Sequence, residues 1–389
     1  MVLKVSKRGE VPPFIVMDVM RQANAMEAEG EKVLHMEVGQ PSTGAPRGVI
    51  KALKKILGNQ TLGYTDALGI SELRNKISEH YSDWYGRTVD PSNIILTTGS
   101  SGGFVLSFLA AFDAGDRVAL ACPGYPAYRN ILAALGIQVV DIPVDKETNF
   151  QPTSAMLDNL QSSTGLPLDG LVIASPSNPT GTMLKTEDLH DLSLYCEKHG
   201  IRLISDEIYH GITYDLPAQT ALAFSSQSIV INSFSKYFSM TGWRLGWLVV
   251  PEDLLRAVEC LAQNLFISPP TVSQVAATAV FDCHDELQAN VRRYACNREI
   301  LLSNLPRAGL QELAATDGSF YVYASVGHLT NDSIEFCRRM LMETGIAATP
   351  GTDFDPYKGN RYMRLSFAGA TSVVEKSVER LSKWLVAQN

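Results

Sequence analysis

The chain has 389 residues, of which 45% are hydrophobic and 19% charged, and its formal net charge is −8. This length suits two domains, the apolar fraction supports sizeable cores and excludes a disordered or collagen-like chain, and the negative balance argues against a general nucleic-acid surface. Six scattered cysteines without a C-x-x-C pair, an opening stretch to Pro13 without an apolar signal core, and no run near the roughly 20 apolar residues of a membrane span fit a reducing, cytoplasmic setting.

Leu73, Ile77, Tyr81 and Trp84 recur at helical spacing, and Gly86 is placed to stop that helix. Seven β-rich runs follow, at Ile94–Thr98, Arg117–Ala121, Gln138–Pro143, Gly170–Ser175, Ile201–Ser205, Ser228–Ser233 and Arg244–Val250. Helical patterns such as Thr186–His199 lie between several of them. Strands this apolar predict an α/β fold, with a mostly parallel sheet of about seven strands sandwiched by helices. A helix-rich stretch over Leu254–Leu305 is expected to lead into a smaller α+β domain. Ser372 and Glu375 are spaced as a capping box for a last helix with an apolar stripe at Val374, Val378, Leu381 and Leu385. The expected division is 1–45 as an N-terminal part of the small domain, 46–285 as the large domain, and 286–389 as the rest of the small one.

The strongest local signal is Ser233-Phe234-Ser235-Lys236, followed by Gly242-Trp243-Arg244-Leu245-Gly246. A lysine amine forms a Schiff base with an aldehyde cofactor when its uncharged form is accessible. Two hydroxyls and a guanidinium beside it are suited to a phosphate. Upstream, Thr97-Thr98-Gly99-Ser100-Ser101-Gly102-Gly103 links an expected strand to an apolar helix, a turn whose free N–H groups can receive an anion. It is neither a Walker A loop nor a dinucleotide fingerprint. Asp206 closes an expected strand, where α/β enzymes place site residues. Asn178, Asp206 and Lys236 follow one another 28 and then 30 residues apart, each at a strand end.

The lysine segment closely resembles the cofactor-lysine motif of class I/II aminotransferases, which are fold-type-I enzymes dependent on pyridoxal 5′-phosphate (PLP), and further motifs in the family's order extend the resemblance from about Gly39 to Arg364. It implies a large PLP-binding domain over 46–285, a smaller mobile domain, and a homodimer with shared active sites. It further implies that Lys236 carries PLP as a Schiff base, with Ser100, Ser101, Gly102, Ser233, Ser235 and Arg244 around its phosphate. Tyr64 matches a tyrosine that reaches the partner subunit's phosphate. Asp206 would pair with the ring nitrogen, Tyr209 and Asn178 would contact the phenolic oxygen, and Tyr125 would stack on the ring. Arg364, with Gly39 as a main-chain donor, would hold the substrate carboxylate, and Asn178 would contact the substrate as well; Arg361 competes with Arg364 by position, but the residues after Arg364 fit better.

The expected reaction is transfer of an amino group from an L-amino acid to a 2-oxo acid, with Lys236, Asp206 and Tyr209 as the catalytic set. No basic residue occurs in Phe104–Phe112 or in the entrance segment Phe14–Met17. The substrate reading therefore leans to a neutral or apolar donor with a 2-oxoglutarate-like acceptor. The alternatives are a dicarboxylate transaminase, or a PLP-dependent lyase or decarboxylase on the same scaffold.

Overall fold

All seven β-rich runs enter one sheet. The computed structural model describes residues 3–58 and 61–387; Met1, Val2, Asn59, Gln60, Gln388 and Asn389 lie outside it. The chain opens with α1 (Ile15–Ala28), β1 (Leu34–His35), α2 (Arg47–Ile56) and α3 (Ser71–Tyr85). Leu73, Ile77 and Tyr81 of α3 are fully buried while Trp84 is partly exposed, and Gly86 ends the helix in the left-handed conformation at φ 61°.

The sheet follows, as β2 (Ile94–Thr97), α4 (Gly99–Ala111), β3 (Arg117–Cys122), α5 (Pro126–Leu135), β4 (Gln138–Pro143), α6 (Ser154–Thr164), β5 (Gly170–Ala174), α7 (Thr186–His199), β6 (Arg202–Asp206), β7 (Ile229–Ser233) and β8 (Gly246–Val249). The strand order is β2-β8-β7-β6-β5-β3-β4. Only β8 runs against its neighbours; the other pairings are parallel. Alternate residues serve opposite faces: Leu171, Ile173, Leu203 and Val230 pack in one core with α6 and α7. Val172, Ile204, Ile229 and Ile231 pack in a second core with α4, α5 and α8 (Glu252–Leu265). Burial on both faces explains why these strands read as apolar runs.

Past α9 (Thr271–Ala277) and α10 (His284–Asn304), β9 (Tyr321–Ser325), α11 (Ser333–Thr344), β10 (Ile346–Ala347), β11 (Thr349–Pro350), β12 (Tyr362–Ser366) and α12 (Thr371–Val386) complete the chain. An antiparallel sheet of order β11-β12-β9 forms here, and β1 pairs in parallel with β10. Residues 34–35 thus lie beside residues 346–347. The stripe Val374, Val378, Leu381 and Leu385 is buried.

Three local expectations need correction. The capping box at Ser372 and Glu375 does not form: α12 begins at Thr371 with Ala370 at the cap, so Ser372 is already inside the helix and lacks the extended backbone a cap requires. The strand expected from Arg244 starts at Gly246, because Arg244 is left-handed at φ 50° and breaks the extended run. The turn after β2 is shorter than expected, since α4 begins at Gly99 and places Ser100, Ser101 and Gly102 in its first turns. Among the described residues no helix is long and apolar enough to cross a membrane, and no cluster of His, Cys, Asp or Glu is arranged to hold a metal ion.

Candidate active site

A cleft of about 180 Å³ opens at the C-terminal ends of the parallel strands, where open α/β sheets bind ligands. Three chain segments meet there because neighbouring strands end together. β5 ends at Ala174 ahead of the Asn178 loop, β6 ends on Asp206, and β7 leads into Ser233–Lys236. The antiparallel strand β8 returns alongside β7 and brings Arg244 to the N-terminal end of α4.

Ser100, Ser101, Ser235 and Arg244 line one end of the cleft. A Cβ on Gly99 would sit 2.4 Å from Arg244 Nη2, so glycine is what lets the guanidinium approach the start of α4. Gly102 is buried behind this end, where a Cβ would meet Thr98 Oγ1 at 2.5 Å. Ser233 also lies behind the wall: its hydroxyl donates to Ser235 Oγ at 2.9 Å and accepts from the Ser235 N–H at 3.1 Å. Neither Gly102 nor Ser233 reaches the cleft surface.

At the floor, Asp206 accepts hydrogen bonds from the hydroxyl of Tyr128 and from the Ile208 N–H. Burial pushes its carboxyl up to about 6, against the lowering by Tyr128, the Ile208 N–H and the charge of Lys236. Lys236 Nζ donates to the carbonyl of Gly39 at 2.8 Å and sits 5.8 Å from the centre of the Tyr209 ring. Its ammonium is lowered to about 8 by burial first, then by the charges of Arg364 and Arg244, with Asp206 opposing. The Tyr209 hydroxyl bonds the Tyr321 hydroxyl at 2.8 Å, and burial pushes its pKa well above the ordinary tyrosine value, which keeps the proton on.

Arg364, in the middle of β12, is buried. Its Nη1 donates to Asn178 Oδ1 at 2.7 Å, and its Nη2 donates to the Glu37 carbonyl and to Thr349 Oγ1. Nε is buried with no partner, a donor left open on the cleft side of the fork. The guanidinium stacks 4.3 Å from the Tyr321 ring centre. Arg361 is exposed in the turn before β12, away from the cleft. Gly39 is confined by the same tyrosine, for a Cβ there would lie 1.6 Å from Tyr321 Oη. Tyr64 is 85% exposed and lies outside the cleft of its own chain.

Phe14, Val16, Met17, Val38 and Ile208 give the cleft an apolar stretch, with the Tyr125 ring edge-on to Phe14. Tyr128 and Tyr321 were assigned no role by sequence reasoning. Tyr128 follows Tyr125 by three positions at the start of α5, so both rings share a helix face, and that spacing was the available signal. For Tyr321 no local signal existed beyond its place in Gly318-Ser319-Phe320-Tyr321.

A helix N-terminus edged by serine hydroxyls and a guanidinium, a buried carboxylate and a lysine of lowered basicity, set on a fold-type-I α/β sheet, are the arrangement of a cofactor-dependent transferase. The chain belongs to the class I and II aminotransferases: the model of that family, described as aminotransferase class I and II, matches residues 31–381. Enzymes of this family use PLP. The chain is 49% identical over 389 residues to a valine–pyruvate aminotransferase of Mycobacterium tuberculosis, with 99% of each chain covered. It is 34% identical to the (5-formylfuran-3-yl)methyl phosphate transaminase of Methanocaldococcus jannaschii, with 96% of each covered. Among solved structures, an aminotransferase from M. tuberculosis superposes with a TM-score of 0.96 at 48% identity, over 99% of this chain and 100% of that one. The aspartate aminotransferase of Thermus thermophilus with maleate gives 0.91 at 27% identity, over 98% and 100%.

Proposed function

We propose that this aminotransferase takes its amino group from a neutral or apolar L-amino acid and passes it to a small 2-oxo acid, with Lys236, Asp206 and Tyr209 as the catalytic residues. The observation that carries this reading is the convergence of Lys236, Asp206 and Arg364 in one cleft that Phe14, Val16, Met17, Val38 and Ile208 also line.

The residues fit PLP. Ser100, Ser101, Ser235 and Arg244 would hold its phosphate, with Gly102 making room for Thr98 and Ser233 orienting Ser235 from behind. Asp206 would face the ring nitrogen: a carboxylate made costly by burial gains most from a cationic partner. Asn178 and Tyr209 would bond the phenolic oxygen, and Tyr125 would cover the ring face. When bound, PLP supplies an aldehyde that accepts the amino group and a ring that draws electrons from the substrate α-carbon.

The chain's own groups do the rest. Arg364, with its free Nε–H and its hydrogen-bonded fork, anchors the α-carboxylate and so fixes the α-carbon over Lys236. Lys236 Nζ, of lowered basicity, would take the proton from that carbon and hold it for return. Exposed Tyr64 would complete the phosphate site of a second copy, which makes the working unit a homodimer. Six free cysteines suit a cytoplasmic location.

Among the described residues lining the cleft, the guanidinium groups are those of Arg244 and Arg364, both already engaged. Donor and acceptor occupy the same pocket in turn, so a wall that favours an apolar donor also disfavours the distal carboxylate of 2-oxoglutarate. The reading therefore moves from a 2-oxoglutarate-like acceptor to a monocarboxylic one, in keeping with the relative named for valine and pyruvate. The test mixes the holoenzyme with single amino acids and follows the visible absorbance of the cofactor. Valine and alanine should discharge it, and pyruvate should restore it faster than 2-oxoglutarate. A response confined to aspartate and glutamate would overturn the donor assignment.

A further inference from the structure

Helix α1 starts without a cap of its own. Phe14 occupies the cap position and offers no side-chain acceptor, so the first N–H groups of the helix need a partner from elsewhere. Asp353 supplies it from the far end of the chain. Its Oδ1 accepts from the Ile15 N–H at 3.0 Å and its Oδ2 from the Val16 N–H at 3.2 Å, across 338 and 337 residues of sequence. Asp353 is 8% exposed, and a carboxylate at a helix N-terminus is favoured by the helix dipole as well as by both hydrogen bonds.

This contact decides where the side-chain wall of the cleft stands. The helix start it holds carries Phe14, whose ring meets Tyr125 edge-on at 5.7 Å, and Val16 and Met17, which line the cleft. Asp353 itself closes the short 3-10 turn Gly351–Asp353 that follows β11, and β11 pairs with β12 with Thr349 opposite Arg364. The carboxylate anchor and the apolar wall are therefore tied to the same small sheet, a few residues apart.

We propose that Asp353 is a specificity-determining positioning residue, which caps α1 across the molecule and so sets the distance between Arg364 and the apolar wall that measures the donor side chain. The proposal rests on the apolar-donor reading above. Arg364 is the cation facing Asp353, so removing the carboxylate also alters the grip on every α-carboxylate. That effect is common to all amino acids and cancels in a ratio of two donors.

The experiment measures the amino-donor half-reaction of the holoenzyme, with valine and with alanine, in Asp353→Ala and Asp353→Asn. Losing the cap should raise the saturation constant for valine about tenfold, the scale of one helix cap, with the limiting rate held within about threefold. Alanine, which barely reaches the wall, should change less than about threefold, and Asp353→Asn, keeping one acceptor oxygen, should fall between. In a Phe14→Ala background the effect of Asp353→Ala on the valine-to-alanine ratio should largely vanish, as for two residues acting through one contact. An unchanged ratio in either Asp353 variant, or equal losses for both donors, would overturn the proposal. If Asp353→Ala does not fold, Asp353→Asn decides alone. Should the wild type prefer glutamate to valine, the apolar-donor reading fails by itself, and the ratio of glutamate to alanine then decides the role of Asp353.

Discussion

At the cofactor end of the cleft, Ala174, Asp206 and Ser233–Lys236 sit at the ends of three adjacent parallel strands, each placed by the strand that precedes it. Along the apolar stretch, Phe14, Val16 and Met17, then Val38, Tyr125 and Ile208, come from four segments that share no strand or helix, and the first is held by a carboxylate more than 330 residues away. The first end inherits its geometry from the rigid sheet, whereas the second depends on contacts between the sheet and the small antiparallel layer. Chemistry should thus be robust to changes in the wall, and specificity should be sensitive to them.

Substitutions at the cofactor end should give the largest effects. Lys236→Ala should reduce transamination by about 10³-fold or more, since it removes both the amine and the proton carrier. Near-normal turnover would break the distinction drawn between the two ends. Arg364→Ala should lower kcat/KM about 10²-fold for every donor alike, and Arg364→Lys should recover little, because an ammonium cannot reproduce the fork. A loss confined to valine would instead place Arg364 with the side-chain wall.

A subtler effect concerns Lys236 in the cofactor-free protein. Its folded value of about 8 lies below the ordinary 10.5, so between those pH values the unfolded chain binds more protons and stability rises with pH. Lys236→Met should be more stable than the wild type at pH 7 by urea unfolding, and the gap should shrink as pH climbs from about 8 towards 10.5. A gap independent of pH would mean that the lysine is not desolvated. The smallest effect is expected of Ser233→Ala, which should weaken cofactor retention about threefold to tenfold through Ser235 (~1 kcal/mol). A loss as large as that of Lys236→Ala would move Ser233 from behind the wall to the cofactor itself.

The same contrast explains what could be read from the chain alone. The strands were legible to within about two residues because burial on both faces demands continuous apolar runs, and Asn178, Asp206 and Lys236 converge in one cleft because they close or follow those strands. Backbone detail was less accessible. The left-handed Arg244 looked like strand, and Ser372 looked like a cap although its helix starts one residue earlier. For Tyr128 only its spacing from Tyr125 was a local signal, and Asp353 had none; the partners of Tyr128, Tyr321 and Asp353, which are Asp206, Tyr209 and Val16, stand 78, 112 and 337 residues away. Arg364 was preferred to Arg361 through resemblance, not through any physical pattern, and the structure buries the former and exposes the latter.

The central claim is that Lys236 bears the cofactor, and borohydride reduction of the holoenzyme followed by peptide mapping tests it most directly. One stable tag is expected, on the peptide that contains Ser233–Lys236. A tag on any other lysine, or none on a protein that is active and fully loaded, would contradict it.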